Sequence, residues 1–93
     1  MIQDKRGIFR DLLTGESISD NETRDLHHIN YDKNDNRIEN LCFLKTRTHN
    51  KISANQFNQK IADNFMRILY ENKHCLKNGI IPKSWKIKQK TLF

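Results

Sequence analysis

The sequence predicts an α+β fold: a two-stranded hairpin with a wide loop packed against a helix, followed by a second helix and a basic tail. Two observations predict this fold. Two short apolar runs at 26–29 and 41–45 flank a loop at 30–40 that is rich in Asn and Asp, which is typical of a hairpin. Further along, apolar residues recur at every third or fourth position, which indicates an amphipathic helix.

The length and charge of the chain indicate one small domain with a polyanionic partner. A chain of 93 residues fits a single domain, so we expect residues 1–93 to form one. Residues 1–44 carry 6 Lys or Arg and 9 Asp or Glu, whereas residues 45–93 carry 11 and 2. The basic second half favours nucleic acid, although a solvated Lys-rich surface has the same composition.

The chain has no apolar stretch of the roughly 18–20 residues that a membrane span needs, and its first residues lack a signal-peptide core. Its two cysteines, Cys42 and Cys75, form no C-x-x-C pair, which argues against a disulfide framework and a four-cysteine zinc site. We expect Cys42 to be a buried small hydrophobe. An intracellular, cytoplasmic protein without a membrane partner is expected.

The first helix is expected directly after the hairpin. Thr46 or Thr48 is the predicted N-cap, and the helix should run towards Asn55. Before the hairpin, residues 8–13 are compatible with a short strand or a helical turn, and Gly15 marks a turn.

The second helix is predicted within the extension 56–74 from an apolar stripe that we expect to pack in the core. Its length should be about 16 residues. The stripe consists of Phe57, Ile61, Phe65, Ile68 and Leu69. Asn78 and Gly79 should end this region.

The basic tail at 80–93 cannot be one continuous helix, because Pro82 interrupts it. Trp85 and Phe93 are expected either to clasp the domain or to lie along a partner.

Three of the four histidines lie within residues 25–52, at both ends of the predicted hairpin. His27 and His28 end the first strand, where neighbouring side chains point to opposite faces. His49 falls in the first turn of the helix that packs back over the hairpin. This ββα arrangement can bring His27 and His49 within reach of one metal ion and leave His28 free for proton transfer.

Two imidazole ligands suit a divalent ion with open coordination positions rather than a closed structural site. Such an ion acts as a Lewis acid on a phosphodiester and stabilises the leaving oxygen. Histidine, with an ordinary pKa of about 6.5, can deprotonate a water near neutral pH. A helix N-terminus attracts phosphate. The pattern therefore predicts metal-assisted phosphodiester hydrolysis.

The stretch "DLHHINYDKNDNRIENLCFLKTRTHNKI", residues 25–52, resembles the motif of the HNH endonucleases, also called ββα-metal or His-Me finger nucleases. That family includes homing endonucleases, colicin-type toxins, phage packaging nucleases and some restriction enzymes. The resemblance implies a small ββα-metal domain with its motif core at 25–55, of bacterial or phage origin. It also implies hydrolysis of double-stranded DNA, with a nick as the product of one active site.

The resemblance implies a role for each matching residue. His27 takes the first metal-ligand position, and His49 takes the second. His28 takes the position of the general base, and Asn40 takes that of the asparagine that pins the loop and orients the base. Ser53 stands where colicin-like members have another histidine, so a three-histidine zinc site is not implied. One divalent ion is expected, with Mg²⁺ or Mn²⁺ first and Ni²⁺ or Zn²⁺ as alternatives.

Five residues are expected to contact DNA. Arg47, Asn50 and Lys51 lie on the predicted first helix, and Lys86 and Lys88 lie in the basic tail. Contacts of basic side chains with phosphates would contribute affinity without reading sequence.

Two other functions remain open. The first is a noncatalytic DNA-binding module of the same fold. The second is a nuclease toxin or a domain excised from a larger protein, or else a protein-interaction or toxin domain in which the ion is structural. The sequence does not distinguish a monomer from a dimer. A calcium loop starting at Asp32 is excluded, because Arg37 stands where Gly is needed and Phe43 where Glu is needed.

Overall fold

The computed structural model describes residues 7–85, which form a two-stranded antiparallel hairpin and two helices. The strands are β1 (Arg24–His28) and β2 (Leu41–Lys45), and the helices are α1 (Thr46–Ala54) and α2 (Gln59–Lys77). The predicted α+β arrangement is confirmed at this level. Within the described residues, neither helix is long and apolar enough to cross a membrane.

The hairpin pairs in a regular register, with His27 opposite Cys42 and His28 opposite Leu41. Because side chains alternate along a strand, Cys42 and Leu44 of β2 both point into the core, where they are buried. The predicted burial of Cys42 is therefore confirmed.

Helix α1 begins without a side-chain cap, so the predicted threonine cap is wrong. The cap residue is Lys45, the last residue of β2, so the chain passes from the strand into the helix without a loop. Its backbone N–H donates to the carboxylate of Asp11 at 2.9 Å, which anchors the strand end. Thr46 instead donates its hydroxyl to Asp25 at 3.0 Å, and Thr48 is buried.

Helix α2 begins later than the apolar stripe predicts. Asn58 caps it by accepting a hydrogen bond from the backbone N–H of Ile61. Phe57 lies before the helix and is 94% exposed, and Ile61 in the first turn is 38% exposed, so the predicted place of these two residues in the core is wrong. The turn that joins the helices points the ring of Phe57 into solvent. The helix has 19 residues rather than about 16 and runs to Lys77, beyond the predicted bound at 74. Asn78 and Gly79 end it as predicted, with Gly79 at a positive φ of 73°.

The core lies between the hairpin and the two helices, and the segment before β1 closes it. Its buried members are Leu12, Ile29, Cys42, Leu44, Ile52, Leu69, Leu76 and Trp85.

The segments on either side of the motif meet each other. Before β1, residues 8–13 contribute to an isolated bridge between Arg10 and Ser17, followed by a turn at 12–14 that the backbone N–H of Gly15 closes by donating to the carbonyl of Asp11. Trp85 is buried and donates its indole N–H to the carbonyl of Leu12 at 2.7 Å. Trp85 thus clasps the domain, whereas the prediction for Phe93 lies outside the described residues.

Candidate active site

The site is built around two histidines that face each other where β1 meets α1. The ring centroids of His27 and His49 lie 5.3 Å apart, with an angle of 65° between the ring planes. His27 points from β1 towards the helix, and His49 lies in the first turn of α1. The structure therefore brings together the two residues predicted as metal ligands.

His27 is only 4% exposed, and its Nε2 has no hydrogen-bond partner within residues 7–85. Burial lowers the pKa of His27 to about 4, and the neighbouring His49 and His28 add smaller contributions. The ring is therefore neutral at pH 7. With its proton on Nδ1, the neutral ring has a lone pair on the unused Nε2, and a metal ligand requires such a lone pair.

His49 is oriented by a carboxylate on the neighbouring strand. Its Nδ1 lies 3.0 Å from Oδ2 of Asp25, and the other oxygen of Asp25 accepts a hydrogen bond from Thr46. With its proton on Nδ1, His49 donates to the carboxylate and keeps a lone pair on Nε2. This is the arrangement that orients histidine ligands in metal proteins.

The residues present fit a divalent ion with two protein ligands. The described part of the chain contains no group of three or more His, Cys, Asp or Glu side chains able to hold a metal. Such a site leaves coordination positions for water and for phosphate oxygens, as an ion that acts on a phosphodiester needs.

His28 is the last residue of β1 and is not part of the facing pair of rings formed by His27 and His49. It is partly exposed, and its Nε2 lies 2.8 Å from Oδ1 of Asn36 in the loop. With its proton on Nε2, His28 donates to Asn36 and keeps a free lone pair on Nδ1. That nitrogen is then available to accept a proton from water.

Asn40 is fully buried and uses both atoms of its side-chain amide to hold the loop. Its nitrogen donates to Oδ1 of Asn30 and to the carbonyl of Asp35, each at 2.9 Å. Its oxygen accepts from the backbone N–H of Asn30 at 3.0 Å and from the hydroxyl of Tyr70 at 2.7 Å. Because Asp35 directly precedes Asn36, this amide fixes the part of the loop that contacts His28.

Two acidic residues of the loop, Asp32 and Asp35, stabilise the turns of the loop itself. The carboxylate of Asp35 accepts two side-chain hydrogen bonds from Arg37, and this guanidinium holds the pKa of Asp35 well below its usual range. Asp32 accepts a hydrogen bond from the backbone N–H of Asn34.

Helix α2 contacts the loop through two residues that the sequence pattern did not single out. Tyr70 reaches Asn40, and the ammonium group of Lys73 donates to the carbonyls of Ile38 and Leu41, the latter at 2.6 Å. Burial lowers the pKa of Lys73. No local signal marks these residues, because their partners lie at least 30 positions earlier in the chain.

Tyr31 is another neighbour of the histidine pair that the sequence pattern did not single out. Its ring meets that of His27 edge to face, with centroids 5.6 Å apart. Burial and, less strongly, the carboxylate of Asp63 raise the pKa of Tyr31, so its hydroxyl keeps its proton near neutral pH. The signal in the sequence that could have drawn attention to Tyr31 is its position as an aromatic residue within a run of Asn and Asp.

The residues predicted to bind DNA have different surroundings. Arg47 is exposed but forms an ion pair with Glu16, at 3.1 Å. Asn50 and Lys51 are exposed on α1. The other two, Lys86 and Lys88, lie outside the described residues.

No protein-family model, no curated protein and no solved structure matches this chain. The support for a function therefore comes from the pattern of the chain and the geometry of its site.

Proposed function

We propose that this protein is a metal-dependent endonuclease of the HNH type, which hydrolyses phosphodiester bonds of double-stranded DNA and nicks one strand in each event. The observation that carries the proposal is the facing pair of His27 and His49, in which His27 keeps a buried, unpaired nitrogen. The basic second half of the chain and the exposed Asn50 and Lys51 support DNA as the substrate.

His27 and His49 are the residues that would hold one divalent ion, with Mg²⁺ or Mn²⁺ expected first. When bound, that ion supplies Lewis-acid stabilisation of the charge on the leaving oxygen. Asp25 keeps His49 in the tautomer that presents Nε2. Because burial lowers the pKa of His27 to about 4, no second proton competes with an ion for this ring down to mildly acidic pH.

His28 acts as the general base in this reaction. Its Nδ1 takes the proton of the attacking water, because its Nε2 is engaged by Asn36. Asn40 acts one step further away, by holding the carbonyl of Asp35 and thus the position of Asn36. The base is therefore oriented by a chain of contacts that starts at a buried amide.

The test is incubation of supercoiled plasmid with the protein and Mg²⁺, Mn²⁺, Ni²⁺ or Zn²⁺ in turn. We expect the relaxed circle to appear before the linear form. The His28→Ala variant should lower the nicking rate by about 10²–10⁴-fold. The matched control is His74→Ala, because His74 lies exposed on α2 and outside the site. Undiminished nicking by His28→Ala would rule out the mechanism.

A binding measurement separates catalysis from ion binding. In Mn²⁺ titrations followed by electron paramagnetic resonance, His27→Ala and His49→Ala should lose binding, whereas His28→Ala and His74→Ala should retain it. DNA binding by the wild-type protein without cleavage in any metal would favour a noncatalytic module. Loss of thermal stability on chelation, with no cleavage, would favour a structural ion.

A further inference from the structure

Tyr31 is the one non-glycine residue with a positive φ in the stretch 7–85, at 65°. A residue with a Cβ is sterically strained there, and Asn or Asp tolerates this region better than an aromatic residue does. Tyr31 nevertheless stands between Asn30 and Asp32, in a loop made mostly of such polar residues. Strain of this kind tends to occur at functional sites.

The side chain of Tyr31 is unusual as well. In the described part of the chain, two buried side-chain polar atoms have no hydrogen-bond partner: Nε2 of His27 and the hydroxyl of Tyr31. Their rings are in contact, edge to face, with centroids 5.6 Å apart. Buried polar atoms are almost always paired in folded proteins. The two exceptions therefore belong to two side chains whose rings are in contact.

Packing accounts for the ring of Tyr31 but not for its hydroxyl. The ring lies against the core cluster and against His27. A phenylalanine would make the same contacts without burying an unpaired oxygen, which is unfavourable. The hydroxyl is therefore the feature that needs a partner from outside the chain.

We propose that Tyr31 is a further ligand-binding residue of this site, whose hydroxyl donates a hydrogen bond to an oxygen bound to the ion that His27 and His49 hold. The inference rests on the metal site of the proposed function and adds a residue from outside the histidine pattern. The oxygen belongs to a water or to a DNA phosphate, since a phenol donates to both in the same way. One ion and its oxygen satisfy both unpaired atoms together.

The test is the Tyr31→Phe variant, measured first without metal. Its Tm in a chelator should equal or exceed that of the wild-type protein, because no partner within the described chain is lost. The matched control is Tyr70→Phe, which removes the hydroxyl of the other tyrosine of the chain. That variant should lower the Tm, because the hydroxyl of Tyr70 is bonded to Asn40.

Ion binding is then measured in two arms by electron paramagnetic resonance, with Mn²⁺ alone and with Mn²⁺ plus a short DNA duplex. A His28→Ala background keeps the duplex intact. Tyr31→Phe should weaken Mn²⁺ binding by about 3- to 10-fold in at least one arm. Loss already with Mn²⁺ alone assigns the oxygen to a water, and loss only with the duplex assigns it to a phosphate.

Equal Mn²⁺ affinities of the two proteins in both arms would overturn the inference. A lower Tm of Tyr31→Phe in chelator with equal affinities would also overturn it, because the hydroxyl would then be structural. Failure of the protein with Tyr31 intact to bind Mn²⁺ in either arm would overturn the proposed function as well. Binding by that protein without an effect of the variant overturns the inference about Tyr31 alone.

Discussion

The hydroxyl of Tyr70 donates a 2.7 Å hydrogen bond to Oδ1 of Asn40, so a helix outside the hairpin motif holds the buried amide at the centre of the loop. One turn further along α2, Lys73 donates to the carbonyls of Ile38 and Leu41, on either side of Asn40. The loop that contacts the proposed base thus has two attachments to α2.

Replacing Tyr70 with phenylalanine should loosen this loop without unfolding the domain. The variant loses one hydrogen bond to a buried amide, whose oxygen still accepts from Asn30. We expect the free energy of unfolding to fall by about 1 kcal/mol in urea denaturation. Hydrogen exchange should become faster in residues 30–37. Unchanged exchange there would show that α2 does not hold the loop.

The Asp25→Asn variant should weaken ion binding by about 10- to 100-fold, because an amide no longer holds the proton of His49 on Nδ1 as a carboxylate does. Calorimetric titration with Mn²⁺ measures the effect. Asp20→Asn is the matched control, since Asp20 is exposed in the turn before β1. Equal affinities of the two variants would contradict the assigned role of Asp25.

Two glycines provide a matched test of how the flanking segments close the core. Gly15 and Gly79 both have positive φ, at 80° and 73°. A Cβ at Gly15 would lie 2.5 Å from the ring of Trp85, whereas a Cβ at Gly79 meets nothing within 4 Å. Gly79→Ala should therefore cost about 1 kcal/mol of stability, from backbone strain alone.

Gly15→Ala adds the clash with Trp85 to the same strain, so its cost should be about 3 kcal/mol. Urea denaturation measures both variants, and the fluorescence of Trp85, the one tryptophan of the chain, should shift only in Gly15→Ala. Equal stabilities of the two variants would show that the contact between Gly15 and Trp85 is not tight.

The two cysteines should differ in reactivity. Burial raises the pKa of the Cys42 thiol to about 12. At about pH 8 the native thiol therefore has almost no thiolate, whereas in the unfolded chain it has the ordinary pKa of about 8.5. A Cys75→Ser variant should resist iodoacetamide when native and react in denaturant. Rapid alkylation of the native variant would contradict this.

The same shift has a defined sign in stability. The pKa of Cys42 is higher in the folded chain than in the unfolded one, so the neutral thiol favours the folded state. This contribution to the free energy of unfolding is fully present below about pH 8.5 and declines as the pH rises towards 12. The Cys42→Ala variant, compared with the wild-type protein, should lose this part of the alkaline destabilisation. Urea denaturation across that pH range measures it.

Local signals were sufficient for the second strand and for the positions of the histidines, whereas β1 begins at Arg24, two residues before the apolar run at 26–29, and ends at His28. The apolar run from Leu41 to Lys45 is the observed second strand, and alternation along the first strand separates His27 from His28. Both follow from periodicity in a continuous stretch of chain.

Features that depend on tertiary contacts could not be predicted from the local sequence. Thr46 has the chemistry of a helix cap, yet its hydroxyl is used by Asp25 on the other strand. Phe57 continues an apolar spacing past the point where Asn58 starts the helix. Tyr70 belongs to the site through a partner 30 positions away, which no local window contains.

Trp85 and Leu12 have a consequence for how the histidine motif can be transplanted. The indole of Trp85 and the side chain of Asn72 both donate to the carbonyl of Leu12, so the two flanks close over the core that supports the hairpin. A peptide of residues 25–55 would lack these partners and have too little core to fold alone. A graft that carries the site into another protein must therefore include Leu12, Asn72 and Trp85 in addition to the motif.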